Sequence, residues 1–176
     1  VYFPPEVGGL ESHIHYLCRG LVARGHSVHV VTSRSRADLP SRELIDGIDV
    51  WRTWLPARNT PGWAAHSFAS MPRFGALAQA ADVLHAQDIA AVLPCMVAQR
   101  VRNAPLVTTY HSSHFLKRAS SPFWRPIFRR FLMAADRNLA ASTEIASVAE
   151  QIAPGVPVEP VTNGVETSLF RRVPPT

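Results

Sequence analysis

With 176 residues, 47% of them apolar and 18% charged, the chain has the size and balance of one soluble globular domain, which excludes a disordered or low-complexity protein. No window approaches the roughly 18 uninterrupted apolar residues of a membrane-spanning helix. Lys and Arg number 18 against 13 Asp and Glu, for a net charge of +5, and all the basic residues but Lys117 are arginine.

The basic excess suits a phosphate-bearing partner, either an anionic lipid or a sugar phosphate. Nucleic acid is set aside, because the arginines are scattered and not gathered into a basic stripe with a reading motif. Cys18 and Cys95 lie far apart with no metal-ligand or redox spacing, so two reduced, buried thiols and a cytosolic setting are expected. The N-terminus lacks the basic flank and apolar core of a signal peptide.

Val1-Tyr2-Phe3 reads as the tail of a strand. It leads into the loop Pro4-Pro5-Glu6-Val7-Gly8-Gly9, which feeds a helix carrying Leu10, Ile14, Leu17, Cys18 and Leu21 on one face, with Gly25 as its C-terminal stop. Gly8 and Gly9 permit a backbone conformation and a closeness of approach that a Cβ would block, and the first free N–H groups of the helix then face an anion. The alternative is a tight connection without a ligand.

Residues 28–31 form a short apolar strand, and residues 47–54 alternate as a second. A helix occupies part of 63–81, and residues 82–85 are the next strand. Ile89, Val92, Leu93, Met96 and Val97 make a helical stripe in which Pro94 implies a late start or a kink. Residues 105–109 follow as a strand, 110–114 as a polar turn, about 123–135 as a helix and 137–141 as a strand. Ser142 or Thr143 caps a helix with Ile145, Val148, Ala149 and Ile152 inward, and residues 158–161 close the series before Asn163-Gly164-Val165.

This βα alternation predicts an α/β fold: a single Rossmann-like domain with a mostly parallel sheet and helices on both faces. Ligands of such sheets bind at the carboxyl ends of the strands. Gly8 and Gly9, Gln87 and Asp88, His111 and Ser112, Ser142 and Glu144, and Asn163 and Gly164 each follow a strand and are expected along that edge.

The order of these signals resembles a known family. The run Gly8-Gly9-Leu10-Glu11-Ser12-His13 with Leu21 to Val28, then Thr109-Tyr110-His111, then Ala135-Asp136-Arg137 through Ser142-Thr143-Glu144, then Val161-Thr162-Asn163-Gly164-Val165 with Phe170, is similar to the N-terminal domain of GT-B retaining glycosyltransferases of family 4, the group 1 type. Glu166 departs from the usual Asp, Phe128 stands where an acidic residue is common, and the first strand is incomplete. The resemblance implies that residues 1–171 are the acceptor-binding half of a two-domain enzyme. Residues 172–176 would begin the linker to a C-terminal nucleotide-sugar domain that this chain does not include, and without which it would not transfer sugar.

By the same resemblance, Gly8 and Gly9 approach the donor phosphate or the reacting sugar, and His111 contacts the transferred sugar at the catalytic centre without acting as a base. Glu11, Ser112 and Arg125 bind the acceptor, with Lys117 and Arg118 as further cationic candidates, and Asn163 and Gly164 line the cleft. The helix dipole alone accounts equally well for Glu11 at a helix start. His111 and His114 form an H-x-x-H pair, but with no third ligand in view no metal is expected. No permanent cofactor is implied; the donor would be a UDP- or GDP-sugar, and the acceptor a small or lipid-linked molecule. The stretches 54–74 and 123–133 are aromatic, apolar and partly basic, which fits either core packing or peripheral contact with an anionic membrane at its cytoplasmic face. The rival readings are a non-enzymatic sugar- or nucleotide-binding module and a dinucleotide-dependent oxidoreductase, whose G-x-G-x-x-G fingerprint is absent.

Overall fold

The computed structural model describes residues 2–111 and 113–164, the side chains at 102, 113 and 114 excepted. It opens with α1 (Gly9–Val22), β1 (His29–Ser33), β2 (Arg42–Ile45) and β3 (Ile48–Thr53). There follow α2 (Thr60–Ala78), β4 (Leu84–Gln87), α3 (Ile89–Arg102), β5 (Leu106–Tyr110) and α4 (Ser113–Ala119). The last described elements are α5 (Trp124–Ala134), β6 (Arg137–Ala140), α6 (Thr143–Ile152) and β7 (Val158–Pro160).

The described strands pair into two sheets. β4 to β7 lie in chain order as a parallel sheet, with Ala86, Thr108, Asn138 and Val158 in one row across it. β1, β3 and β2 form the other, in that order, and neither β1 nor β4 has a second partner among the described residues. Helix α2 packs on β1 and β3 and also on α3, and so ties the two sheets together.

The strict βα alternation breaks at β2, which pairs antiparallel with β3. Asp46 and Gly47 sit at φ 50° and 80°, the double left-handed conformation of a tight hairpin turn. Asp-Gly flanked by Leu44-Ile45 and Ile48 is the sequence signal for this hairpin, of which the periodicity reading placed only the second strand. Tyr2 and Phe3 belong to no strand; Phe3 is buried with Ile14, Cys18, Ile48 and Val50 in the smaller of two cores.

The larger core lies around β4 to β7, where Phe115 and Phe128 stack 5.0 Å apart above Leu106 and Leu132. Phe128 therefore fills this core, which accounts for an apolar residue at a position where the family often has an acid. The expected polar turn after β5 is also corrected: Tyr110 is the buried last residue of β5 and packs on Phe115 at 5.0 Å. Cys18 and Cys95 are buried free thiols, pushed up by burial to about 11 and 12.

Candidate functional site

Because β4 and β5 are parallel, their carboxyl ends deliver Gln87 and His111 to the same side. Alternation along β4 puts His85 and Gln87 on one face. His111, one residue past β5, donates its Nε2 hydrogen to Gln87 Oε1 at 2.6 Å, and the Gln87 amide nitrogen lies 3.1 Å from His85 Nε2. His85 in turn bonds Thr109 Oγ1 at 2.7 Å. From the second turn of α1, His13 lays its ring 4.8 Å from that of His111.

Three histidines from three elements thus converge, without forming a metal-ligand set among the described residues. Burial, with a smaller contribution from His13, lowers His111 to about 4, and crowding by protein together with His13 does the same to His85, although part of that residue stays open to solvent. His13 is lowered by burial as well. His111 is therefore neutral near pH 7. With Nε2–H committed to Gln87, its Nδ1 must be the lone-pair nitrogen, and that atom is buried without a partner among the described residues.

The glycine loop is fixed from behind. The buried Arg52 guanidinium on β3 reaches both the Pro4 carbonyl and the Glu43 carboxylate. Glu6 accepts from Ser35 Oγ at 2.7 Å and from Arg58 Nη2 at 2.6 Å. Gly8 caps α1 with φ −176°, an extended conformation open to any residue, so the glycine pair is not required by backbone geometry. Space is what distinguishes the two positions. A Cβ at Gly9 would meet nothing within 4 Å, whereas one at Gly8 would run into the Glu11 carboxylate, which bends back over the loop. Among the described residues no side chain caps α1, which leaves its first amides open to a ligand.

An open cavity of about 500 Å³ begins at this helix end and runs between α2, the start of α3, α4 and α5. Gly9, Glu11 and Asp88 contribute to its lining, and Trp63, Trp124 and Phe131 give it aromatic walls. Its cation is Arg118, which donates to Thr60 Oγ1 at 2.9 Å and lies 5.4 Å from the Trp124 ring. Arg125 is not brought to the cavity: it donates to the Gln151 carbonyl at 3.1 Å, near the end of α6. Arg125 stands in the first turn of α5 on the same stripe as the buried Phe128 and Leu132, three and seven residues on, and this stripe brings it to the last turn of α6.

Other expected residues sit as follows. Ser142 accepts from the Ile145 amide and serves as the cap of α6, while Glu144 is exposed in that helix's first turn. Asn163 and Gly164 are exposed beyond β7. Ser112, the His114 side chain, Val165, Glu166, Phe170 and the boundary at 171–172 lie outside the described residues. His13 and His85 were not among the expected site residues. The available signals were their positions, one turn beyond the glycine pair and two residues before Gln87.

Comparison with known proteins identifies the family and the fold. The model of Glycosyltransferase Family 4 matches residues 7–169. The D-rhamnosyltransferase WbpZ of Pseudomonas aeruginosa is 30% identical over 149 residues, which are 85% of this chain and 38% of that protein. One component of the human phosphatidylinositol N-acetylglucosaminyltransferase is 35% identical over 71 residues, 40% of this chain and 15% of that one. Among solved structures, sucrose-phosphate synthase from Thermosynechococcus elongatus superposes with a TM-score of 0.73 at 18% identity, covering 95% of this chain and 45% of the synthase. The chain thus spans less than half the length of these relatives, and its fold is that of a Rossmann-like half of a GT-B enzyme. It belongs to glycosyltransferase family 4.

Proposed function

We propose that this glycosyltransferase domain is the acceptor-binding half of a retaining enzyme that moves a sugar from a UDP- or GDP-sugar to a lipid, sugar or sugar-phosphate acceptor. The observation that carries the reading is the shared edge. The start of α1 at Gly9, uncapped by any described side chain, the Nδ1 of His111, unpartnered among the described residues, and the mouth of an aromatic-walled cavity lie along one side of the fold.

In this reading the α1 amides face the departing phosphate or the reacting sugar. The neutral His111 accepts a hydrogen bond from a sugar hydroxyl through Nδ1 and is not a base. The cavity holds the acceptor, with Glu11 and Arg118 at its polar positions. The nucleotide is held by a second domain, so this chain alone does not transfer sugar, and no metal takes part. Asn163 and Gly164 border the cleft between the two domains.

Phe123 and Met133, 68% and 62% exposed, flank the exposed Arg129 and Arg130 on α5, which supports peripheral contact with an anionic membrane on its cytoplasmic side. None of the described helices is long and apolar enough to cross a membrane.

The test is to incubate the protein carrying this chain with UDP- and GDP-sugars and a lipid or sugar-phosphate acceptor extract, and to follow nucleotide release and labelled product. Acceptor-dependent release that vanishes on His111→Ala supports the reading. Release of no nucleotide from any donor, with the fold intact, overturns it.

A further inference from the structure

Asp88 is the residue of the cleft edge whose conformation the fold does not explain. Its backbone sits at φ 76° and ψ 167°, a region that in practice belongs to glycine and that strains any side chain. The strain is held from both sides: its N–H donates to the Thr109 carbonyl at 2.9 Å, and its own carbonyl accepts from the Ala91 amide at 3.1 Å.

Aspartate at this position has an ordinary task, since it occupies the N-cap of α3, where a carboxylate normally accepts from the first-turn amides. Here it makes no such bond. Its Oδ1 is buried without a partner among the described residues, an arrangement that weakens a fold unless a ligand completes it. The residue lines the cavity, whose walls also include Glu11, Trp63, Ile89 and Leu93.

We propose that Asp88 accepts a hydrogen bond from a hydroxyl of the acceptor, whose apolar portion lies along the cavity's aromatic wall. The proposal rests on the glycosyltransferase reading and names the residue that grips the acceptor. A hydroxyl is the donor that a sugar or polyol acceptor brings to such a carboxylate, and Arg118 in the same lining offsets part of the charge of Asp88 and Glu11. The carboxylate thus lines the cavity without being spent on the helix amides that an N-cap aspartate normally serves.

Trp63 and Trp124 both line the cavity, so intrinsic fluorescence reports its occupancy without turnover. The protein carrying this chain is titrated with n-octyl β-D-glucopyranoside below its micelle concentration, and in parallel with the fully O-methylated ether, which has no hydroxyl donors. The wild-type protein should bind the glucoside about tenfold more tightly than the ether, the scale of one hydrogen bond to a charged group. Asp88→Gly should abolish that preference, leave ether binding unchanged and raise the Tm, because glycine adopts this φ without strain. Asp88→Asn, which keeps an oxygen acceptor but loses the charge, should fall between the two. Any of three results overturns the proposal: no preference for the glucoside in the wild type, a preference retained in Asp88→Gly, or equal loss of both probes with a lowered Tm. Failure of the glycosyltransferase reading looks different: Asp88-dependent glucoside binding would persist while no donor released nucleotide.

Discussion

His111 gives its Nε2 hydrogen to Gln87 Oε1 across 2.6 Å, and this bond decides which face of the imidazole is available for a ligand. A neutral histidine with Nε2–H engaged offers Nδ1 as an acceptor, and burial, which lowers His111 to about 4, keeps it in that state. Replacing Gln87 with Glu sets a carboxylate against the ring and raises the His111 pKa. The acid limb of the kcat profile should then move from near pH 4 toward neutrality, since the imidazolium has no lone pair at Nδ1. Gln87→Met should instead lower kcat about tenfold, as expected when an oriented polar group is freed, with no shift of the limb. A pH profile unchanged in Gln87→Glu would remove His111 from the reaction.

Gly9 separates a structural from a functional role for the glycine loop. It opens α1, and a Cβ there would meet nothing within 4 Å. Alanine in a helix is favoured over glycine by up to about 1 kcal/mol, so Gly9→Ala should hold or raise the Tm. If the space above it admits a phosphate or sugar, transfer should nonetheless fall by tenfold or more. Thermal melts and donor turnover on the same preparation check both halves, and undiminished turnover would mean that no ligand approaches this backbone.

Local pattern made much of this legible. Ile14 and Cys18 are the buried pair of α1, Ser142 caps α6, and Gln87 and His111 emerge at strand ends where α/β folds place ligands. Those features depend on periodicity, capping chemistry and topology, all local or nearly so. The contacts of His13 and His85 depend on which elements become neighbours. The same limit applies to the basic residues: Arg118 and Arg125 are chemically identical, and only the packing of α5 against α6 directs Arg125 to Gln151. The hairpin at Asp46-Gly47 is different in kind, because its turn signal was present and the βα rhythm masked it.

Pro94 illustrates a tertiary repair of a local defect. A proline inside a helix removes the N–H that would bond the carbonyl four residues earlier, here that of Ala90. α3 nevertheless runs from Ile89 through Pro94, and Ser67 Oγ on α2 lies 2.7 Å from the freed Ala90 carbonyl, where it can donate in place of the missing amide. The same hydroxyl lies 2.9 Å from the Trp63 carbonyl within its own helix. Ser67→Ala should cost about 1–2 kcal/mol by leaving the Ala90 acceptor unpaired. In a Pro94→Ala background the helix supplies its own amide, and the cost of Ser67→Ala should shrink. A double-mutant cycle by urea unfolding measures that coupling, and additive costs would show that the two residues act independently.

Stability should fall with acid through a defined window. His66 is 5% exposed, with Nδ1 3.1 Å from Thr53 Oγ1 and 3.3 Å from the Trp54 carbonyl. Burial lowers it to about 4, and His85 and His111 are lowered to about the same value. A depressed histidine pKa means that the unfolded chain takes up protons before the folded one does. The stabilising contribution is therefore complete above the unfolded value near 6.5, and it is lost as pH falls from there toward 4. For His66 alone the loss across that window is roughly 3 kcal/mol. Asp49 adds a separate acid step. The bond from Arg42, supported by those from Trp51 and His29, holds its carboxyl at about 2, so its contribution is present above about 3.8 and disappears as pH falls toward 2. Urea midpoints between pH 7 and 4 should decline in the wild type and decline less steeply in His66→Gln, which cannot titrate. Asp49→Asn should leave the slope in that upper window nearly unchanged, because the Asp49 transition lies below it. A wild-type midpoint that is flat from pH 6.5 to 4 would mean that His66 and its two counterparts accept protons in the folded state at little cost.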